Sequence, residues 1–273
     1  MKIAFIGGGN MASALIAGLA GKLTAGADIH VVDPNPAALD KLQALFGVTT
    51  ATMADAAISS CEVVVLAVKP QAMREAAAQL APLLADGRAL LISVAAGIRA
   101  ADLSRWLGGY GAIVRCMPNT PALIGMGITG MVASAGVVEE QRATADAILR
   151  AVGPTVWLED EAQIDAVTAV SGSGPAYVFY FIEAMQQAAV EMGLSAEQGK
   201  QLALATFAGA SQLAVQSDEP VSVLRERVTS KGGTTFAALT SMEASGVKPA
   251  IIAAMKAAAA RGKELGDELG KAG

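Results

Sequence analysis

Apolar positions in the first half of the chain fall into short runs separated by longer amphipathic stretches. Lys2–Ile6 (KIAFI), Asp28–Val32 (DIHVV), Glu62–Ala67 (EVVVLA), Leu90–Val94 and Ala112–Cys116 each read as a strand. The unbroken apolar run in EVVVLA predicts a strand covered on both faces, as in a parallel sheet. Ala-rich segments at Met11–Ala20 and near 36–46, 71–84 and 99–107 read as the intervening helices. Strand alternating with helix predicts a doubly wound α/β domain of the Rossmann type, with Thr155–Leu158 as its last strand.

Past residue 160 the pattern becomes helix upon helix. Pro175–Met192 is one long apolar helix. Ser195 and Gln198 have capping-box spacing. Pro220 suits the first turn of a short helix, and Pro249 that of a last helix running to about Leu269. Gly246 suits the helix end before it. The expected organisation is therefore an α/β Rossmann domain over 1–160 and an all-α domain over 161–273, with Gly270–Gly273 frayed.

Composition narrows the function. The chain has 273 residues, 53% hydrophobic and 16% charged, with net charge −5. No basic tract exists, so nucleic acid is not an expected partner. No unbroken apolar stretch reaches the ~20 residues of a membrane span. Gly7, Gly8, Gly9 and Asn10 interrupt the apolar N-terminus, unlike a secretory leader. Cys61 and Cys116 sit in predicted apolar strands, far apart and without metal spacing, and read as free buried thiols; a cytoplasmic location follows. The apolar excess is enough to cover a subunit interface as well as a core.

KIAFI leads into Gly7-Gly8-Gly9-Asn10-Met11-Ala12, a G-x-G-x-x-A that opens a helix. Gly7 permits the tight turn, Gly9 lets a pyrophosphate approach the backbone, and Ala12 lets helix and strand pack closely. The helix N-terminus offers N–H groups to phosphates. Asp33 ends the second strand, where an acid favours NAD over NADP. Asn35 follows, able to donate to a phosphate, so the two cofactors remain alternatives. Lys69, in Ala67-Val68-Lys69-Pro70, either approaches the cofactor or is a solvated lysine at a strand exit.

The single histidine, His30, sits at the strand end opposite the ligand crevice and reads as structural. That removes a Ser-His-Asp triad, a His/Cys zinc site and a His-carboxylate dehydrogenase pair. Hydride transfer to an imine remains, because a protonated C=N is already electrophilic. Three loops are candidates for holding the reactants: Arg115–Pro121 (RCMPNTP), where Asn119 offers an amide; Ser171–Tyr177 (SGSGPAY); and Thr229–Thr235 (TSKGGTT), a nest for a carboxylate.

IGGGNMA, AVKP, RCMPNTP, SGSGPAY and SKGGTT together resemble the pyrroline-5-carboxylate reductase family, in its order and spacing, along nearly the whole chain. The resemblance implies reduction of 1-pyrroline-5-carboxylate to L-proline with NADPH, or NADH. It implies a Rossmann domain followed by a helical dimerisation domain, an active site at the homodimer interface, and in several members a decamer. Gly7, Gly9, Asn10, Met11 and Ala12 match the dinucleotide loop, and Asn35 the position near the adenosine ribose phosphate. Ala67, Val68, Lys69 and Pro70 match a cofactor-lining strand end. Met117, Pro118 and Asn119 match the segment beside the nicotinamide. Ser230, Gly232, Gly233, Thr234 and Thr235 match the substrate carboxylate loop, with Thr235 as the catalytic hydroxyl near the ring nitrogen. Lys231 stands where the family usually has proline, which frees φ and adds a cation. Two rivals remain. A β-hydroxyacid dehydrogenase would carry a lysine on the helix after SGSGP, but Tyr177, Val178, Phe179 and Tyr180 follow. A nucleotide-binding sensor on the same fold would bind cofactor without turnover.

Overall fold

Strands that are apolar on both faces need cover on both faces. In the computed structural model, which describes residues 1–86 and 88–271, β1 (Ile3–Ile6), β2 (Ile29–Val32), β4 (Val63–Leu66) and β5 (Leu90–Ser93) are buried at every position. Together with β3 (Thr49–Ala51), β6 (Ile113–Met117), β7 (Thr129–Ala133) and β8 (Thr155–Trp157) they form, among the described residues, one eight-stranded sheet ordered β3-β2-β1-β4-β5-β6-β7-β8. Every neighbouring pair is parallel except β6 and β7. The chain reverses its direction of travel across the sheet between β1 and β4. A crevice opens outside the carboxyl ends of strands at such a point.

The period-2 alternation sorts each strand's side chains into two cores. Ile3 and Phe5 join α1 (Asn10–Leu19), α2 (Pro36–Phe46) and α5 (Glu139–Arg150) on one face. Ala4, Val64, Leu66 and Leu91 join α3 (Met73–Leu80) and α4 (Ala100–Trp106) on the other.

Three elements escaped the sequence pattern. β3 (TTA) is a short, half-exposed edge strand with little apolar signal. β7 is interrupted by Gly130, where a Cβ would come within 2.7 Å of Val167 Cγ1. α5 is rich in charge and buries only Ala145, Ile148 and Leu149. The helix expected over 71–84 is α3 flanked by 3₁₀ turns at Pro70–Ala72 and Ala81–Leu83. Cys61 precedes β4 rather than lying within it, while Cys116 is in β6.

The remainder is helical: α6 (Gln163–Val167), a π turn over Thr168–Gly172, α7 (Gly174–Glu191), α8 (Ala196–Gln216), α9 (Val221–Arg227), α10 (Thr234–Ala244) and α11 (Val247–Lys271). The Ser195 capping box forms, with Gln198 N–H on Ser195 Oγ at 3.2 Å and Ser195 N–H on Gln198 Oε1 at 2.9 Å. Pro220 caps α9 instead of entering its first turn. Gly246 takes φ +66 between α10 and α11. Gly270 and Lys271 are helical, and the rest of the tail expected to fray, Ala272 and Gly273, lies outside the described residues.

By packing, the chain divides into two units: Met1–Ser173 joined by the last turns from Ala258, and Gly174–Ala257. Packing thus draws its line at 173, while the change in sequence pattern falls at 160. Within the first unit α6 packs on β6 and β7, and ion pairs and hydrogen bonds add to that packing. Arg115, 4% exposed, meets Glu161 at 2.9 Å, and the same Glu161 oxygen accepts the Ala100 N–H at the start of α4. Arg99 meets Asp267, and Arg105 donates to the Gly270 carbonyl, which ties the end of α11 to α4. Removing Glu161 strands a buried guanidinium. Glu161→Ala is expected to destabilise the first unit by about 3 kcal/mol, and Arg115→Met, which removes the charge and keeps the bulk, by less. Denaturant melts of both variants check the order; the reverse order contradicts it.

Candidate active site

The loop after β1 is shaped by what it must avoid. Gly7 turns with φ +101, and a Cβ on it would stand 2.7 Å from the Ala67 carbonyl oxygen at the exit of β4. Its N–H binds the Val32 carbonyl at 2.7 Å, so the loop is tied to both neighbours of β1. Gly9 is the N-cap of α1. No side chain caps this helix, no acid sits in its first turn, and a Cβ at Gly9 would meet nothing within 4 Å. The leading N–H groups, at Asn10, Met11 and Ala12, precede the first possible intrahelical partner. Gly9 and Asn10 are exposed while Ala12 is fully buried against the sheet. An open glycine beside uncapped helix amides fits a dinucleotide's pyrophosphate, on both steric and electrostatic grounds.

The two residues that left cofactor choice open are both engaged. Asp33 Oδ2 accepts the Gly8 N–H at 2.7 Å and Oδ1 accepts the Asn35 N–H at 2.8 Å. Asn35 caps α2 through Oδ1, which accepts the Ala37 N–H at 3.1 Å. Ala67 and Val68 are half-buried at the end of β4. Lys69 is exposed and precedes Pro70, which opens a 3₁₀ turn.

Met117 ends β6, and Pro118 and Asn119 follow. Asn119, which offers an amide at the carboxyl end of β6, has both ends of that amide engaged. Nδ2 donates to the Ser171 carbonyl at 3.1 Å, and Oδ1 accepts the Ile128 N–H at 3.0 Å. The π turn supplies that carbonyl. Gly172 has no side chain because Met117 Cε would lie 2.5 Å from its Cβ. Gly172 thus packs against Met117, whereas a Cβ on Gly174 would meet nothing within 4 Å. Small residues there mark the close approach in the sequence, but not its partner.

His30 contacts Thr49 Oγ1 at 2.9 Å and Asp55 Oδ1 at 3.3 Å, and is 8% exposed. It joins β2 to the edge of the sheet, a structural role. Burial raises the Cys61 and Cys116 thiols above their ordinary range, away from the thiolate that a nucleophile needs.

In the helical unit, Thr229–Thr235 links α9 to α10. Gly232 takes φ +74, and the Gly233 N–H closes the turn on the Ser230 carbonyl at 3.0 Å. Gly233 caps α10 without a side-chain bond, and the first turn holds no acid. Ser230, Lys231 and Thr234 are exposed, and Thr235 is half-buried. Uncapped amides with hydroxyls and a lysine around them have the chemistry to accept a carboxylate.

Residues 161–265 match the family described as pyrroline-5-carboxylate reductase dimerisation, and residues 2–97 match NADP oxidoreductase coenzyme F420-dependent. The chain is 46% identical over 270 residues to the pyrroline-5-carboxylate reductase of Pseudomonas aeruginosa, covering 99% of this chain and 98% of the relative. The chain belongs to the pyrroline-5-carboxylate reductase family. The Haemophilus influenzae enzyme of that name is 43% identical, with 96% and 97% covered. Among solved structures, a pyrroline-5-carboxylate reductase from Coxiella burnetii superposes with TM-score 0.91 at 39% identity, covering 97% of this chain and 98% of that one. The Plasmodium falciparum pyrroline carboxylate reductase with NADP bound does so with TM-score 0.86 at 31% identity, with the same coverage.

The open space at Gly9 separates a binding role from a packing one. Gly9→Val is expected to lower the melting temperature by only a few degrees, the cost of a poorer N-cap, and to weaken NADP⁺ binding by at least ~tenfold, about 1.4 kcal/mol. Calorimetric titration of the folded variant checks this; unchanged affinity contradicts it.

Proposed function

We propose that this family member reduces the C=N bond of 1-pyrroline-5-carboxylate to L-proline, the last step of proline biosynthesis, with NADPH as the preferred reductant and NADH as an alternative. One observation carries the reading: the identity to reductases of this name runs the full length, and both an uncapped dinucleotide loop and an uncapped carboxylate loop are intact. The bound dinucleotide supplies the hydride.

In this proposal Gly7, Gly9, Asn10, Met11 and Ala12 hold the pyrophosphate, with Asn35 near the ribose phosphate. Ala67, Val68, Lys69 and Pro70 line the cofactor at the β4 exit. Met117, Pro118 and Asn119 form the wall beside the nicotinamide, kept in place by the Asn119–Ser171 and Asn119–Ile128 bonds. Ser230, Gly232, Gly233 and Thr234 hold the substrate carboxylate through amides and hydroxyls, and Lys231 adds a positive charge there. The Thr235 hydroxyl holds the ring nitrogen. The imine carbon accepts hydride while that nitrogen keeps or gains its proton, which yields a secondary amine. No histidine is needed, and His30 is committed to Thr49 and Asp55.

The helical unit argues for a partner. Ile182 and Ala189 are the buried residues of α7, and α9 and α10 bury none. Phe179, Tyr180, Met192, Leu213 and Val215 are at least 59% exposed. So much apolar surface calls for burial against another chain. The proposal is a homodimer with each carboxylate loop serving the partner's cofactor, and assembly of dimers into a decamer. The enzyme works in the cytoplasm, where the free thiols stay reduced. Among the described residues no helix is long and apolar enough to cross a membrane.

The test is substrate-dependent oxidation of NADPH and NADH, followed by loss of their near-ultraviolet absorbance. Rapid oxidation with pyrroline-5-carboxylate and none with hydroxyacids is expected. Cofactor binding without turnover would favour a sensor. Thr235→Ala is expected to lower turnover by about 10²-fold and spare cofactor affinity; full turnover contradicts the assigned role. Sedimentation should show a dimer or a multiple of it, and a stable folded monomer contradicts the interface.

A further inference from the structure

An acid at the end of the second strand ordinarily takes the adenosine ribose hydroxyls and repels a 2′-phosphate. That role needs a carboxylate whose acceptor capacity faces the ribose. In Asp33 each oxygen is already held by a main-chain N–H, from Gly8 at 2.7 Å and from Asn35 at 2.8 Å. Short bonds of this kind are charge-assisted and draw the negative charge toward their donors. Both donors belong to the loops that frame the dinucleotide site. Gly8 is the middle residue of Gly-x-Gly and is buried. A Cβ on it would lie 3.3 Å from Leu42 Cδ1 and 3.4 Å from Asp33 Cβ. Gly8 is buried, so without Asp33 its N–H loses the side-chain acceptor that holds it.

We infer that Asp33 is a positioning residue of the glycine loop, not a reader of the ribose, and that it does not exclude a 2′-phosphate. It fixes Gly8, and through Gly8 the course of the loop from Gly7 to Ala12, before any cofactor arrives. It also fixes the Asn35 main chain, which sets the N-cap of α2. Asn35 is the residue that the family resemblance sets near the ribose phosphate. Its Oδ1 is spent on Ala37, which leaves Nδ2 as a donor at a helix N-terminus with no acid in its first turn. A donor at the positive end of a helix attracts a phosphate. This inference rests on the reading of Gly7–Ala12 as the dinucleotide site.

The test compares full-length wild type with Asp33→Ala and Asp33→Asn. Affinities for NADP⁺ and NAD⁺ are measured by calorimetric titration, and amide hydrogen exchange of the Gly7–Ala12 segment in cofactor-free protein. Asp33→Ala is expected to weaken both nucleotides by a common factor, on the order of tenfold, so that their ratio stays within about twofold. Exchange in the segment should speed up with no nucleotide present. Asp33→Asn keeps one acceptor oxygen and should fall between wild type and alanine for both nucleotides; it decides the matter if the alanine variant does not fold. Loss confined to NAD⁺, a gain for NADP⁺ and unchanged exchange would overturn the inference and make Asp33 a ribose reader. Wild type that binds neither nucleotide would overturn the site reading beneath it, and neither result depends on turnover.

Discussion

Gly7 stands where two main chains meet. It lies so close to the Ala67 carbonyl that a methyl group would not fit, and its N–H is held by Val32. This contact closes the carboxyl edge of β2, β1 and β4, the three strands around which the sheet reverses. Much of the site follows from it. The chain leaves β1 with Gly7 at positive φ, and α1 starts without a side-chain cap beside the open Gly9. A residue with a side chain at this point would push β4 from β1 and aim the helix elsewhere. The close approach is a steric condition, and only glycine meets it.

The first unit builds extensive cores, and the helical unit buries far less. The sheet has two full cores, one on each face. α7 to α10 carry large apolar side chains on their outsides and bury few. Local propensity and capping make these helices, as the Ser195 box illustrates, yet helices of this kind gain most of their stability from packing. The missing cover and the exposed carboxylate loop lie in the same unit. The family match over 161–265 to a dimerisation domain agrees with a partner chain supplying that cover.

Much of this was legible in the sequence, and the reasons differ by element. Buried parallel strands announced themselves because apolar runs such as VVVL have no other soluble explanation. The glycine loop was legible because each glycine answers a separate steric demand. β7 was not, because Gly130 yields to Val167, a neighbour distant along the chain. α5 hid because its buried stripe is narrow. At the site, the residue types were readable but their partners were not. Asn119 has the right place to face a cofactor, yet its hydrogen bonds go to Ser171 and Ile128. Asp33 likewise has the right place for a ribose, and its oxygens go to the main chain. Polar side chains declare what they can bond to, and only the fold decides what they do.

The central claim is that hydride passes to the carbon of a cyclic imine held by this chain. The most direct measurement uses NADPH carrying deuterium at the transferring position of its nicotinamide, mixed with pyrroline-5-carboxylate and the purified protein, with mass analysis of the product. The account predicts L-proline that carries the deuterium on the former imine carbon. Proline without deuterium, or cofactor bound and unchanged beside unreacted imine, would contradict it.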